Sequence, residues 1–295
     1  MANITLTNGK CTAVIQPLGA QIASFKGADG REMIWQADPA VWAQHAPVLF
    51  PICGSVPNNT IKIDGVPYTM PKHGFSRAPV YSVAKKGEDF VELVLCASDE
   101  TRSMYPFEFS FHVIYTLLDN GYTTTFVVEN QSDRVMPFCA GGHPGFAVPM
   151  EDGAVFTDYQ LVFPHVEEGK NHLAPGGGLI DGYEYLDCFL NSDTLPLSYD
   201  LFDERDALIF TELKSRSVKL VHKTSGKGIN FSFPKMEVLA VWTKPGAHAP
   251  YVCLEPWHGM PSTVQESGNF EDKAFVTLLQ PGTSWQCSFT ATIID

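Results

Sequence analysis

Phe109-Ser110-Phe111-His112-Val113-Ile114-Tyr115-Thr116 alternates in period two, and after Asn120-Gly121 the alternation resumes in Tyr122-Thr123-Thr124-Thr125-Phe126-Val127-Val128. Successive side chains of a strand point to opposite faces, so Phe109, Phe111, Val113 and Tyr115 share one face while Ser110, His112 and Thr116 lie on the other. An Asn-Gly pair between two such runs predicts a tight hairpin whose two turn residues take positive φ. The same signal stands at Asn8-Gly9, between Ile4/Leu6 and Cys11/Ala13/Ile15, and at Asp64-Gly65, between Ile61/Ile63 and Val66/Tyr68. The chain closes on Trp285, Cys287, Phe289, Ala291 and Ile293 in strict alternation. Helical signals are few: Asp38-Pro39 reads as an N-cap and first helical residue opening a turn or two through Trp42. The polar stretch from Glu167 to Gly182, with Gly176-Gly177-Gly178 inside it, reads as a long surface loop. Nothing marks a linker, so the expectation is all-β: one large antiparallel β-sandwich with few short helices.

Composition narrows the function. With 44% hydrophobic and 18% charged residues among 295, the chain has ample material for a large core and is too apolar to be disordered. Twenty basic against 33 acidic residues give a net charge of −13, which would repel a polyanion, so nucleic acid is excluded as a partner. No apolar run reaches membrane-spanning length, which predicts no membrane association. Met-Ala-Asn-Ile-Thr lacks the basic start and apolar core of a signal peptide, so the protein is expected to be cytoplasmic. The seven cysteines show no CxxC and an odd count, and most lie in apolar runs such as Val94-Leu95-Cys96 and Tyr251-Val252-Cys253-Leu254. They read as buried, reduced thiols rather than a zinc or disulfide framework. No phosphate-binding or dinucleotide-binding glycine motif is present. A monomer or a weak homodimer suits the acidic surface.

Of nine histidines, His45, His112, His165, His172, His222 and His248 have no acidic or cysteine partner at metal-ligand spacing. Three stand in unusual company: Lys72-His73-Gly74-Phe75-Ser76-Arg77, Gly141-Gly142-His143-Pro144-Gly145-Phe146, and Glu255-Pro256-Trp257-His258-Gly259. Glycines around His143 let backbone approach a ligand, and an imidazole held there has the right pKa range for a general acid. Glu255 ends an apolar run, where poor solvation raises a carboxylate towards a useful base. Trp257 offers a flat apolar face of the kind that packs on a sugar ring. Taken alone, a histidine bonded within a tight turn and a glutamate in a structural ion pair explain these strings better.

In combination the odds change. Four blocks, Leu49-Phe50-Pro51-Ile52-Cys53-Gly54, Pro71 to Arg77, Gly142-His143-Pro144-Gly145-Phe146 and Cys253-Leu254-Glu255-Pro256-Trp257, resemble in order those of the aldose 1-epimerase (galactose mutarotase) superfamily, in particular its bacterial aldose 1-epimerase-like branch. The opening hairpin and Leu279-Gln280-Pro281-Gly282 extend the likeness over nearly the whole chain. The resemblance implies one domain over 1–295, a β-sandwich of the galactose-mutarotase type with the sugar in an open groove across one sheet. It implies His143 as general acid, Glu255 as general base, His73 bonding the sugar near its ring oxygen, and Asp206 or, equally by position, Asp203 holding sugar hydroxyls. Arg77, Trp257 and Ser55 complete the expected sugar-contacting set. The implied activity is interconversion of the α and β anomers of a free hexose, with no metal, nucleotide or redox cofactor. Glu255 is expected to start ionised and His143 protonated, on opposite sides of C1–O5.

Two departures stand out. The family's usual arginine after the glycine of the Phe-Pro block is replaced by Ser55, whose one short hydroxyl cannot reproduce bidentate contacts, with Asn58 or Asn59 as partial substitutes. After Trp257 the chain runs His258-Gly259-Met260-Pro261 where the family usually approaches an aspartate. Two alternatives therefore stay open: a non-catalytic sugar-binding protein on this fold, and an epimerase of a phosphorylated hexose with Lys72 and Arg77 near the phosphate.

Overall fold

The computed structural model describes residues 2–295. Alternating strands pair into an antiparallel nine-stranded sheet, ordered Ser192–Pro196, Tyr159–Glu167, Ser217–His222, Gly228–Ser232, Ser284–Ile294, Gly121–Asn130, Phe109–Leu118, Phe90–Cys96, Ser82–Lys86. The closing strand thus lies at its centre. Facing it is a shorter sheet ordered Ala207–Phe210, Val238–Trp242, Tyr251–His258, Ala140–Gly142, Val48–Leu49, with Gly145–Ala147 also paired to Tyr251–His258. Phe50 stacks on Phe111 at 4.7 Å and Phe146 meets Phe231 at 5.7 Å, so aromatic residues from the two sheets meet in one core. Each fully buried ring contributes about 1.5–3 kcal/mol relative to exposure. Among the described residues the α-helices are two short ones, Asp99–Met104 and Asp200–Asp203, and no helix is long and apolar enough to cross a membrane.

The hairpins form as expected, but not all with the expected turns. Asp64 and Gly65 both take positive φ (52° and 76°) between Ile63 and Val66. In the central hairpin Gly121 already pairs with Leu118, so the turn residues are Asp119 and Asn120, neither in the positive-φ region. Gly121 is required for a different reason: a Cβ there would lie 2.2 Å from the Ala291 carbonyl oxygen of the neighbouring strand. At Asn8-Gly9 the strands re-pair only at Thr7 and Thr12, because Asn8 Oδ1 accepts from the Lys10 and Cys11 amides and widens the loop. Asp38-Pro39 opens a single turn, closed by the Trp42 amide on the Asp38 carbonyl (2.8 Å). The Glu167–Gly182 stretch is more than a surface loop: Lys170–His172 pairs with Tyr183–Tyr185, and Pro175–Gly177 forms a 3-10 turn. The cysteines are all unbridged; Cys96 and Cys188 are exposed, because Cys96 falls on the outward face of its strand, and the other five are buried.

Candidate active site

The shorter sheet buries one face in the core and turns the other towards a groove. On Tyr251–His258 the residues Tyr251, Cys253, Glu255 and Trp257 share that outer face by the period of two. Register then places His143. Gly141 pairs with Trp257 and Gly145 with Cys253, so the intervening Gly142-His143-Pro144 passes opposite Leu254–Pro256. His143 Nε2 lies 3.1 Å from Glu255 Oε2. Glycine is needed beside this site: a Cβ on Gly142 would lie 2.6 Å from the Phe289 ring.

The two groups are buried, with 8% and 2% of their surfaces exposed. The close contact is not aligned as a hydrogen bond, and Glu255 Oε2 and His143 Nδ1 have no hydrogen-bond partner among the described residues. Native proteins rarely leave buried polar atoms unpaired, and these two belong to side chains that line the groove. Burial pushes His143 down to about 3 and Glu255 well above its ordinary value; Lys72 pulls Glu255 partly back and Asp206 opposes that. Burial thus favours a single proton on the pair, carried by the carboxyl rather than the imidazole. This is the proton count of an ionised glutamate beside a protonated histidine, with the proton moved from one partner to the other. The two groups adjoin rather than standing apart across the groove. O1 and O5 of a pyranose are bonded to the same carbon, so adjoining groups can serve both.

His73 is fixed by reciprocal bonds with Gly54: its amide donates to the Gly54 carbonyl (2.8 Å) and its Nδ1 accepts from the Gly54 amide (3.0 Å). Nδ1 as acceptor leaves the proton on Nε2, which makes His73 a neutral donor. Burial, then the positive surroundings from His143, Lys72 and Arg77, holds its pKa well below the usual value. Its ring lies 5.7 Å from that of His143.

Asp206 is the groove-lining aspartate, at the lip of strand Ala207–Phe210, with Oδ1 accepting from Trp242 Nε1 at 3.4 Å. Asp203 is engaged elsewhere, by the Gly246 amide (2.6 Å) and His248 Nε2 (2.8 Å). Arg77 and Trp257 also line the groove. Trp257, 3% exposed, forms part of its floor and packs into the main core. Ser55 is not a lining residue; its hydroxyl donates to the Gly177 carbonyl (2.9 Å) and ties down the Pro175–Gly177 turn, which does border the groove. Asn58 and Asn59 are exposed in the Pro57–Asn59 turn, away from the lining. His258 is bound to Glu237 (2.6 Å) and Thr277 (2.5 Å).

The groove, of about 360 Å³, is also walled by Trp42, Trp242, Ile209 and Lys244, which the motifs do not identify. Trp42 lies 5.0 Å from the His143 ring and 5.3 Å from Trp242, and stacks on Tyr251 at 5.5 Å. Trp42 and Trp242 are half-buried and so present more open faces than Trp257. The signal in the sequence was the Val238–Trp242 run, which like Tyr251–Glu255 carries a functional side chain at its end. Cys253 brings a third ligand-type atom within 4.8 Å of His143 and Glu255, a donor set that a zinc ion could use. Burial and Glu255 keep that thiol protonated, so it moves no proton at neutral pH.

Comparison with known proteins bears on the family and the fold. The profile of the family described as aldose 1-epimerase matches residues 2–287. The chain is 34% identical, over 99% of both chains, to the chromosomal LacX protein of Lactococcus lactis subsp. lactis. A galactose mutarotase related enzyme from Lactobacillus acidophilus superposes with a TM-score of 0.92 at 31% identity, covering 100% of this chain and 98% of that one. A galactose mutarotase-like protein from Lactobacillus casei gives 0.92 at 27% identity, with 99% and 100% covered.

Proposed function

The chain belongs to the aldose 1-epimerase family, and from that premise we propose that it interconverts the α and β anomers of an aldose, a hexose in the first instance, by general acid/base ring opening. The observation that carries this is the buried His143–Glu255 contact at 3.1 Å, with an unpartnered atom on each residue. Bound sugar oxygens supply polar surroundings to the pair, and the shared proton passes from Glu255 to His143. Glu255 then takes the O1 proton while His143 gives a proton to the ring oxygen. The C1–O5 bond breaks and O1 becomes the aldehyde oxygen. Rotation about C1–C2 presents the other carbonyl face, O5 re-attacks, His143 recovers its proton and Glu255 returns one to O1. The neutral pair favoured by burial is thus the form that faces the open-chain sugar. His73 Nε2–H donates near the ring oxygen, and Asp206 accepts from sugar hydroxyls. Trp42 and Trp242 offer apolar faces to the C–H side of the ring.

The test is polarimetry of freshly dissolved α-glucose and α-galactose. The expected result is decay to the equilibrium rotation much faster with protein than without. Saturable binding of sugar with an unaltered decay would leave a binding protein on this fold instead.

A further inference from the structure

Acids outnumber bases 33 to 20 in this chain, yet the groove reverses that balance. Lys72, Arg77 and Lys244 all line it, and its acidic groups are Asp206 and Glu255, the latter pushed by burial towards its neutral form. None of the three cations has a carboxylate oxygen within 4.0 Å among the described residues. Arg77 Nη2 donates to the Lys72 carbonyl (2.9 Å) and Lys244 Nζ to the Val41 carbonyl (2.7 Å). Lys72 reaches over Gly177, where a Cβ would lie 2.3 Å from its Nζ and 2.6 Å from Asp206 Oδ2. Lys72 and Asp206 therefore face the same small opening without forming a direct ion pair. Unpaired cations gathered in a concave site are an arrangement suited to an anion. Ser55 supplies no charge here, so the cations of this groove come from Lys72, Arg77 and Lys244.

Where on the sugar the anion sits follows from His73, and this step rests on the mutarotase reading. Lys72 and Arg77 flank His73 in the chain, and that reading sets His73 at the ring oxygen. In an aldopyranose the ring oxygen is bonded to C5, which carries the exocyclic C6. We propose that the substrate is a hexose bearing an anionic group on C6, a phosphate monoester or a carboxylate, bound by Lys72 and Arg77 with Lys244 adding to the positive potential of the groove. Neutralising Lys72 and Arg77 in this way also removes two charges that disfavour a protonated His143, so binding and proton transfer are coupled.

The experiment compares kcat/KM for anomer exchange, by magnetisation-transfer NMR, on glucose, glucose 6-phosphate, galactose 6-phosphate and galacturonate. The expected preference of an anionic sugar over its neutral counterpart is at least about tenfold, the scale of one charge-assisted hydrogen bond, and it narrows as salt rises to about 0.5 M. Preference for the phosphates or for galacturonate identifies which anion the site takes. In Lys72→Met and Arg77→Met, checked for folding by circular dichroism, the anionic-to-neutral ratio is expected to fall by about tenfold through a raised KM for the anionic sugar. Equal rates on neutral and anionic sugars would overturn the inference and leave the mutarotase reading standing, and so would a ratio unmoved by both substitutions. Binding of a sugar phosphate that is lost in Lys72→Met, with no exchange on any sugar, would overturn the mutarotase reading and support the anion site.

Discussion

Replacing Glu255 by glutamine separates two groups that burial pushes in opposite directions. In the unfolded chain Glu255 ionises near 4.5, whereas folded it keeps its proton well above that. Its contribution to stability is therefore full below 4.5 and declines by about 1.4 kcal/mol for each pH unit above it, until the folded value is reached. His143 runs the other way: about 3 when folded against 6.5 when unfolded, so its contribution is full above 6.5 and is lost as pH falls towards 3. In the wild type the two slopes oppose each other from 4.5 upward, for as long as both groups remain between their unfolded and folded values. In Glu255→Gln only the rise due to His143 survives. The stability difference between variant and wild type should accordingly grow in the variant's favour by about 1.4 kcal/mol per pH unit from 4.5 up to the folded value of Glu255. Every other titrating group cancels in the difference. Urea unfolding followed by tryptophan fluorescence at several pH values measures it. A difference that stays constant with pH would mean that Glu255 is ionised in the folded protein and would refute the one-proton pair.

Three further outcomes follow from the same geometry. Because the pair keeps its single proton down to about 3, the acid limb of kcat/KM should fall near pH 3 and the alkaline limb well above 4.5; a narrow bell centred between the unperturbed glutamate and histidine values would contradict this. Gly177→Ala puts a methyl group against Lys72 Nζ and Asp206 Oδ2 at a φ of +65°, so KM should rise several-fold with the fold retained; an unchanged KM would show that this turn plays no part in binding. Trp257→Ala should cost about 3–5 kcal/mol of stability, because the indole is 3% exposed and packed in the core. A melting temperature equal to wild type would place Trp257 on the open face instead.

The period of two was enough to read the sandwich, because alternation reports which face of a strand is buried. The turn residues were harder to read. The Asn120-Gly121 string predicts a turn glycine, but the constraint on Gly121 comes from Ala291, a residue 170 positions further along, at a contact no local pattern reveals. Cys96 looked buried in its run, yet an odd step along Phe90–Cys96 turned it outward. His143 and Glu255 stood out through their glycines, proline and apolar neighbours, and strand register then brought them together. Asp206 and Asp203 could not be separated by position; a turn of backbone and the Trp242 indole separate them in space. Trp42, Trp242 and Lys244 reach the groove from segments whose strings look ordinary. The position of the shared proton was least legible of all, since it depends on burial by residues from every part of the shorter sheet.

The central claim is that His143 and Glu255 act as one proton-transferring unit, and a double-mutant comparison of anomer-exchange rates tests it most directly. His143→Gln and Glu255→Gln should each lower kcat by about 10²–10⁴-fold, and the double variant should be no more than about tenfold slower than the worse single one, because removing either partner already disables the unit. Losses that multiply in the double variant, or near-normal exchange in either single one, would contradict the account.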